Sequence, residues 1–101
     1  MELKISLDYE ELANEWQYRL ITLLKQKMEH FNIEEETAKE IVGEFVFDLS
    51  MLHDHEAITV NGNSYNPRIC FDDFDGNLIT SDVETNLHEF AFDRTGEAYD
   101  D

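Results

Sequence analysis

The sequence predicts an α+β domain in which an antiparallel pair of helices packs on one face of a small, mostly antiparallel β-sheet. Apolar residues recur every three or four positions through two long segments that precede residue 55, which is typical of amphipathic helices. After Ala57, short apolar runs alternate with polar residues and turn residues become frequent, which is typical of strands. The chain has 101 residues, a length that fits one domain.

The N-terminal segment predicts a short strand followed by a long helix. Residues 3–7 alternate between apolar and polar side chains, as a strand does. Asp8 is a candidate N-cap, because Glu11, three residues later, can complete a capping box. The helix is predicted from Tyr9 to His30. Its apolar stripe repeats every four residues: Leu12, Trp16, Leu20, Leu24 and Met28.

A second helix is predicted from Ile33 to Leu52. Asn32 interrupts the pattern, and because the connection is short, the two helices should lie antiparallel. Gly43 lies inside this helix, where glycine costs about 1 kcal/mol relative to alanine. We expect its missing side chain to let the first helix come close. Residues 45–47 are all apolar, which predicts that this helix lies between the first helix and the sheet.

The rest of the chain predicts three to five short strands. Residues 58–60 precede Asn61-Gly62, a strong two-residue hairpin signal. Residues 68–71 and 78–80 predict two further strands around a turn at Asp75-Gly76.

The C-terminal part is predicted to add one more strand and then lose its structure. Residues 87–92 form this last strand, with Phe90 and Phe92 on one face. If residues 81–89 are helical instead, the fold becomes a three-helix arrangement with one hairpin. The compact acidic domain is expected to span residues 1–92, with residues 93–101 as a frayed acidic tail.

The charge balance bounds the class of partner. Lys and Arg total 7 against 24 Asp and Glu, a formal net charge of −17. Nucleic acids and anionic membranes need cations on the protein that binds them, so neither is expected as a direct partner. The surface suits a basic protein, such as a nucleic-acid-binding protein or a nuclease, or metal ions. Plain solubility is the competing interpretation, because net charge does not specify a partner. No cofactor is predicted.

Four acids follow one another along the second helix. They form an acidic ridge whose members are each four residues apart: Glu36, Glu40, Glu44 and Asp48. Like charges at this spacing cost roughly 0.2–0.5 kcal/mol per pair, and a helix that needed only stability would interleave lysines. Lys39 alone lies nearby. The ridge therefore predicts a binding face for a basic partner, with a solvated helix face as the alternative.

A second acidic set, Asp72, Asp73 and Asp75, is predicted to support the ridge. Successive ridge carboxylates rise by about 6 Å, at ~1.5 Å per residue, whereas each strand of duplex DNA carries a phosphate every ~3.4 Å. Mimicry of nucleic acid would need this second row, or one from the acids of residues 10–15. The sequence thus favours a non-enzymatic inhibitor of the immunity or antitoxin type that blocks a basic protein, with a nucleic-acid mimic as a related form.

The first alternative is a calcium-binding module. Five oxygen-bearing residues occupy positions 1, 3, 5, 9 and 12 of the calcium-loop template: Asp73, Asp75, Asn77, Ser81 and Glu84. The template also needs glycine at position 6, where this chain has Leu78, and a helix before the loop. The simpler interpretation is a hairpin turn in which Asp and Gly satisfy the backbone.

A second metal hypothesis concerns the segment His53-Asp54-His55-Glu56, directly after the second helix. Alternate histidines with acids between them are ligands that suit a transition metal. A third ligand, His30, His88 or Asp48, would have to come from elsewhere. Histidine near a helix C-terminus also interacts favourably with the helix dipole, so no metal site is assigned.

No catalytic site is predicted, because the chain has no recognisable nucleophile motif and only 4 glycines, which leaves no phosphate-binding loop. The single cysteine, Cys70, excludes an internal disulfide and is expected in the core. The sequence shows neither a signal peptide nor a membrane-spanning apolar run, so a cytoplasmic protein is expected. A structural homodimer joined through apolar sheet surface is the remaining alternative.

Overall fold

The computed structural model describes residues 1–100 and confirms the α+β architecture. Within these residues, two long helices pack antiparallel with a short third helix, and the strands form a small mixed sheet and a separate hairpin. The elements in chain order are β1 (Glu2–Ile5), α1 (Tyr9–His30), α2 (Glu35–Asp54), β2 (Ile58–Val60), β3 (Asn63–Tyr65), β4 (Phe71–Asp72), β5 (Asn77–Thr80), a 3₁₀ helix (Leu87–Phe90) and α3 (Ala91–Tyr99). None of the helices in residues 1–100 is long and apolar enough to cross a lipid bilayer.

A left-handed turn at Asn32 joins the two long helices, where the sequence predicts a break. Asn32 has φ 59°, a conformation that asparagine tolerates better than most residues. The backbone N–H groups of Asn32 and Ile33 donate to the carbonyls of Glu29 and Met28, at 3.0 and 2.9 Å. These bonds end α1 and reverse the chain within a few residues, so α1 and α2 are antiparallel neighbours.

The start of α1 is where the sequence predicts it, but the predicted capping box is wrong. The Asp8 side chain makes no capping hydrogen bond, and the Asp8 backbone is already helical, with φ −75° and ψ −10°. A capping side chain normally needs an extended backbone to reach the first turn. Asp8 instead donates its N–H to Ser6 Oγ at 3.1 Å and accepts a bond from the Leu12 N–H at 3.0 Å.

The sheet is built around β5. β1 pairs with it in parallel and β4 pairs with it antiparallel, so the strand order is β1-β5-β4. The parallel pairing arises because α1 and α2 lie between β1 and the rest of the sheet in the chain, and a parallel pair needs such a crossover. β2 and β3 form the hairpin that Asn61-Gly62 predicts, with φ 53° and 80° at its two turn residues. Such positive values are those of the primed turns that match strand twist.

The C-terminal segment is helical, so the predictions of a last strand at 87–92 and of a frayed tail from residue 93 are wrong over the residues described. Ala91, Thr95 and Ala98 recur at helical spacing, and all three are buried. The Thr95 hydroxyl donates to the Ala91 carbonyl at 2.7 Å within this helix. The alternation of Phe90 and Phe92 imitates a strand, but burial of the small residues decides the outcome. Asp101 lies outside the described residues.

The core has two clusters that share α1. The larger one joins the three helices through residues such as Ile21, Val42, Val46 and Tyr99. The smaller one joins the first half of α1 to the sheet and the 3₁₀ helix, through Tyr9, Ala13, Ile79 and Leu87. α2 therefore packs against both α1 and α3, which also contact each other, and does not lie between α1 and the sheet as predicted.

Gly43 makes room for a neighbouring helix, as the sequence predicts, but the neighbour is α3 and not α1. A Cβ atom at Gly43 would lie 3.1 Å from Cδ1 of Phe92 and 3.7 Å from Cγ2 of Thr95. The first distance is shorter than ordinary van der Waals contact. The missing side chain thus seats the Phe92 ring directly against the α2 backbone.

Candidate acidic binding face

The acidic ridge lies on the outer surface of α2. All four of its residues, Glu36, Glu40, Glu44 and Asp48, are exposed. The opposite side of the helix carries Ala38, Val42 and Val46, which are at most 2% exposed. Packing of this apolar side against α1 and α3 fixes the helix, so the ridge carboxylates are held on a rigid element.

The ridge acids have no ion-pair partner within the described chain. Residues 1–100 contain two close contacts between an acidic and a basic side chain, Asp54–His88 and Arg94–Glu97, and neither includes a ridge residue. Lys39 lies beside the ridge but pairs with none of its acids. The negative charge that the sequence places on α2 is therefore left for solvent or for a partner to neutralise.

Three ridge acids lie beside an exposed aromatic ring. Glu36, Glu40 and Glu44 line a shallow open depression together with Lys39, Thr95 and Phe92. Phe92 is 54% exposed, although its inner edge rests on Gly43. A ring of this kind offers both apolar contact and a face for a cation. Because the aliphatic stems of Lys and Arg also pack on apolar surface, the depression combines the two contacts that such a side chain makes.

The second acidic set does not join the ridge. Asp72, Asp73 and Asp75 lie at the turn between β4 and β5. None of the hydrogen bonds, ion pairs or depressions described for residues 1–100 includes a member of both sets. Among the described residues, the two sets therefore share no contact, and a supporting role of the turn acids in partner binding stays a prediction.

Two of the three turn carboxylates bind the backbone of their own turn. Asp72 Oδ1 accepts the Phe74 N–H at 2.8 Å. Asp73 Oδ1 accepts the N–H groups of Asp75 and Asn77, at 2.8 and 3.2 Å, and its Oδ2 accepts the Asn77 amide at 2.9 Å. The Asn77 amide, followed by the Asp75 N–H, lowers the pKa of Asp73. These bonds are those of the hairpin turn that was the simpler interpretation.

The calcium-loop template fails on this geometry. The Asp73 oxygens, which would open the loop, already accept three hydrogen bonds. Phe74 and Gly76 have φ 66° and 91°, so the sharp bend comes before position 6 of the template. Within residues 1–100, no group of three or more His, Cys, Asp or Glu side chains is arranged to hold a metal ion.

The histidine side chains of the segment His53-Asp54-His55-Glu56 contact different neighbours. His53 Nδ1 lies 3.0 Å from the Pro67 carbonyl, and its ring meets Trp16 edge-on, with centroids 5.5 Å apart. The His55 ring meets that of His88 at 5.1 Å. The two histidines therefore serve different contacts and do not converge on one point, as a shared metal would require.

Asp54 is the buried polar centre of this region. Its carboxylate accepts bonds from the Thr85 hydroxyl, from the His88 N–H at 2.8 Å and from His88 Nδ1 at 2.6 Å. Burial raises the pKa of this carboxyl, but the bonds from Thr85 and His88 outweigh burial, so the pKa of Asp54 is lowered. Asp54 thus ties the end of α2 to the segment that leads into the 3₁₀ helix.

No family model, curated protein or solved structure shows a significant match to this chain.

Two features of the molecule escaped prediction from the sequence. Gln17 is fully buried on α1 and donates to Ser50 Oγ at 2.9 Å and to the Leu87 carbonyl at 2.8 Å. Gln17 lies four residues from each of the apolar residues Ala13 and Ile21, which are also buried, and this position was the available signal. Cys70 is exposed, not part of the core, because its neighbours Ile69 and Phe71 point inward and successive side chains of an extended segment alternate.

Proposed function

We propose that this protein is a non-enzymatic binding protein whose acidic ridge on α2 engages a basic protein and blocks it. The observation that carries the proposal is the row of exposed, unpaired carboxylates Glu36, Glu40, Glu44 and Asp48 on a helix fixed by its buried side. A partner with Lys or Arg residues would neutralise this row. The like-charge repulsion along α2 is then relieved only in the complex.

The charge of the whole chain supports fast recognition of a cationic partner. A net charge of −17 produces a long-range attraction that accelerates encounter with a basic surface. Once the partner arrives, the close contacts determine specificity. We assign this second role to the Phe92 ring and the three carboxylates beside it.

An immunity or inhibitor type of protein is favoured over a nucleic-acid mimic. A mimic needs two acidic rows at phosphate-like spacing. The acids nearest the start of α1, Glu10, Glu11 and Glu15, line depressions that contain no ridge residue. The ridge on α2 is therefore a single row, which suits a cationic patch on a protein better than it suits the two-stranded pattern of DNA.

We propose the cytoplasm as the compartment of this protein. The alternative function is that of a metal-binding module. A calcium or zinc titration followed by the melting temperature separates the alternative from our proposal. Metal ions that bind only the folded state raise the melting temperature, and we expect neither ion to do so at saturating concentration.

The test of the proposed function compares two variants with the same loss of charge. The ridge variant combines Glu36→Gln, Glu40→Gln and Glu44→Gln, and the control combines Glu10→Gln, Glu11→Gln and Glu15→Gln. Each tagged protein is used to capture partners from a lysate, and the affinity for the captured basic protein is then measured by calorimetry. We expect the ridge variant to bind about tenfold more weakly, since exposed charge contacts are worth roughly 0.2–1 kcal/mol each.

The control should keep the affinity of the unmodified protein within about twofold at physiological salt, where exposed charges more than ~8 Å from the contact are screened. An equal loss of affinity in both variants would mean that the net charge of the protein, and not the ridge, attracts the partner. Retention of full affinity by the ridge variant would remove the ridge from the binding site.

A further inference from the structure

The helix pair carries an exposed apolar strip on the side that α3 does not cover. The strip consists of Leu23 on α1 with Ile41 and Phe45 on α2, which are 56%, 42% and 50% exposed. Ile41 and Phe45 are four residues apart and so lie on one face of α2. Large apolar side chains grouped on an exposed face mark an interaction site more often than a solvent surface.

The three residues lie on the same side of the molecule because of where α3 packs. Lys25 faces α3, since its Nζ donates to the Ala98 carbonyl at 2.8 Å, and Gly43 faces α3 through Phe92. Leu23 and Ile41 each precede one of these residues by two positions, or roughly 200° around a helix of 3.6 residues per turn. Both therefore point away from α3.

On the side of the helix pair that points away from α3, the half nearest the sheet is covered by another segment of the chain. The segment after β3 packs there, with the Pro67 carbonyl 3.0 Å from His53 Nδ1 and the Ile69 carbonyl accepting the Tyr9 hydroxyl at 2.7 Å. Tyr9 and His53 are at the sheet end of the helix pair. No segment within residues 1–100 covers the half that carries Leu23, Ile41 and Phe45, which stay exposed.

The size and shape of the molecule indicate that it exposes enough surface for a further interface. Its accessible surface is 7093 Å², whereas a compact monomer of 11.9 kDa exposes about 5,900 Å². Its radius of gyration is 15.3 Å, against about 12.7 Å for a compact chain of this length. The projecting hairpin supplies part of the excess. The whole excess, about 1,200 Å² over the compact monomer, is larger than the ~800 Å² per partner that a stable interface buries.

The charges at the margins of the strip favour a second copy over a basic partner. On α1, the exposed residues Arg19 and Lys27 flank Leu23 at four positions on either side. On α2, Glu44 and Asp48 border Ile41 and Phe45. A uniformly basic partner would meet two cations on one margin, whereas a copy of the same chain can set the cationic margin of one molecule against the acidic margin of the other.

The register between the helices makes this match specific. Gln17 Nε2 lies 2.9 Å from Ser50 Oγ, so Gln17 on α1 is level with Ser50 on α2. Because the helices are antiparallel, Arg19 is level with Asp48, and Leu23 is level with the interval between Ile41 and Phe45. Rotation about a two-fold axis parallel to the helices does not shift residues along the helix direction. Such an axis therefore places α1 of each copy over α2 of the other, with the same residues level.

We propose that this strip is a two-fold interface on which a second copy of the chain packs. Leu23 of each copy lies over Ile41 and Phe45 of the other, and Arg19 of each copy pairs with Asp48 of the other. This interface uses the helix pair, not the sheet surface considered from the sequence. Asp48 lies on the shared margin, while Glu36, Glu40 and Glu44, which line the depression beside Phe92, are left to a basic partner.

Sedimentation of the full chain over a wide concentration range, at physiological salt, tests the proposal. We expect a monomer–dimer equilibrium in which Phe45→Glu weakens dimerisation by about a hundredfold, since each dimer loses two buried aromatic contacts worth about tenfold each. The control is Val83→Glu, which changes a residue that is 64% exposed and lies outside the strip. Circular dichroism of each variant verifies the fold.

A charge exchange tests the pairing even where Phe45→Glu does not fold. Arg19→Glu and Asp48→Arg change the net charge in opposite directions, yet each should weaken the dimer. The double variant restores the pair in reverse and should return the dimer toward its original affinity. A chain that is monomeric at every concentration overturns the proposal and leaves the strip to a different protein. A dimer unaffected by the Phe45 and single-charge variants equally overturns it.

Discussion

Asp54 and His88 form a partly buried hydrogen-bonded contact that joins the last turn of α2 to the 3₁₀ helix. Asp54 Oδ2 lies 2.6 Å from His88 Nδ1, and the Asp54 side chain is completely buried. The same carboxylate also accepts bonds from the Thr85 hydroxyl and the His88 N–H. One side chain thus anchors a segment more than thirty residues away in the chain, and with it the entry to α3.

Loss of the Asp54 carboxylate should lower the free energy of unfolding more than loss of an exposed acid on the same helix. Asp54→Ala leaves three partly buried donors without this acceptor, so we expect the free energy of unfolding to fall by about 3 kcal/mol. Urea denaturation followed by circular dichroism measures the change. Asp48→Ala, a loss of the same charge at an exposed position of the same helix, should change stability by less than about 0.5 kcal/mol. Similar effects of the two substitutions would contradict the anchoring role.

The stability contributed by Asp54 should depend on pH in the acid range. Its pKa is lower in the folded protein than in the unfolded chain, so its contribution is complete above the unfolded pKa of about 4. The contribution is lost progressively as the pH falls from the unfolded pKa through the folded pKa, because in this interval the unfolded chain binds the proton before the folded chain does. Urea midpoints measured between neutral and acid pH should fall more steeply for the unmodified protein than for Asp54→Asn. Parallel curves would show that Asp54 gains no charge stabilisation on folding.

Gly43 and Phe92 should be energetically coupled. Alanine favours a helix interior over glycine by about 1 kcal/mol, but its Cβ would lie 3.1 Å from the Phe92 ring. We expect Gly43→Ala to stabilise the protein by about 1 kcal/mol only when Phe92→Ala is also present, and to give no more than about half of that gain alone. A double-mutant cycle by urea denaturation measures the coupling. Full additivity would mean that the ring moves aside without cost.

The β4–β5 turn should depend on Asp73 and not on Asp75. Asp73 accepts two backbone N–H groups and the Asn77 amide, while no described hydrogen bond involves the Asp75 carboxylate. Asp73→Ala should therefore lower the melting temperature more than Asp75→Ala, although each removes one acid. The reverse order would show that turn backbone bonding is not what Asp73 supplies.

The long helices illustrate how much of the fold the sequence determines. The four-residue repeat from Leu12 to Met28 and the break at Asn32 predict α1 and its reversal into α2, because helical periodicity and left-handed turn preference are local properties. The acidic ridge follows from the same periodicity, since residues four apart on a helix are always neighbours. Asn61-Gly62 predicts its hairpin for the same local reason.

The C-terminal segment and the partners of side chains were decided by tertiary packing. Residues 87–92 carry an alternation that imitates a strand, and burial of Ala91, Thr95 and Ala98 against α1 and α2 makes residues 87–99 helical instead. Likewise, the carboxylates of Asp48, Asp54 and Asp73 are alike in sequence, yet one is exposed, one anchors a distant segment and one shapes a turn. Local pattern specifies where an acid lies along a helix or turn; which groups surround it depends on how the elements pack, because those groups come from distant parts of the chain.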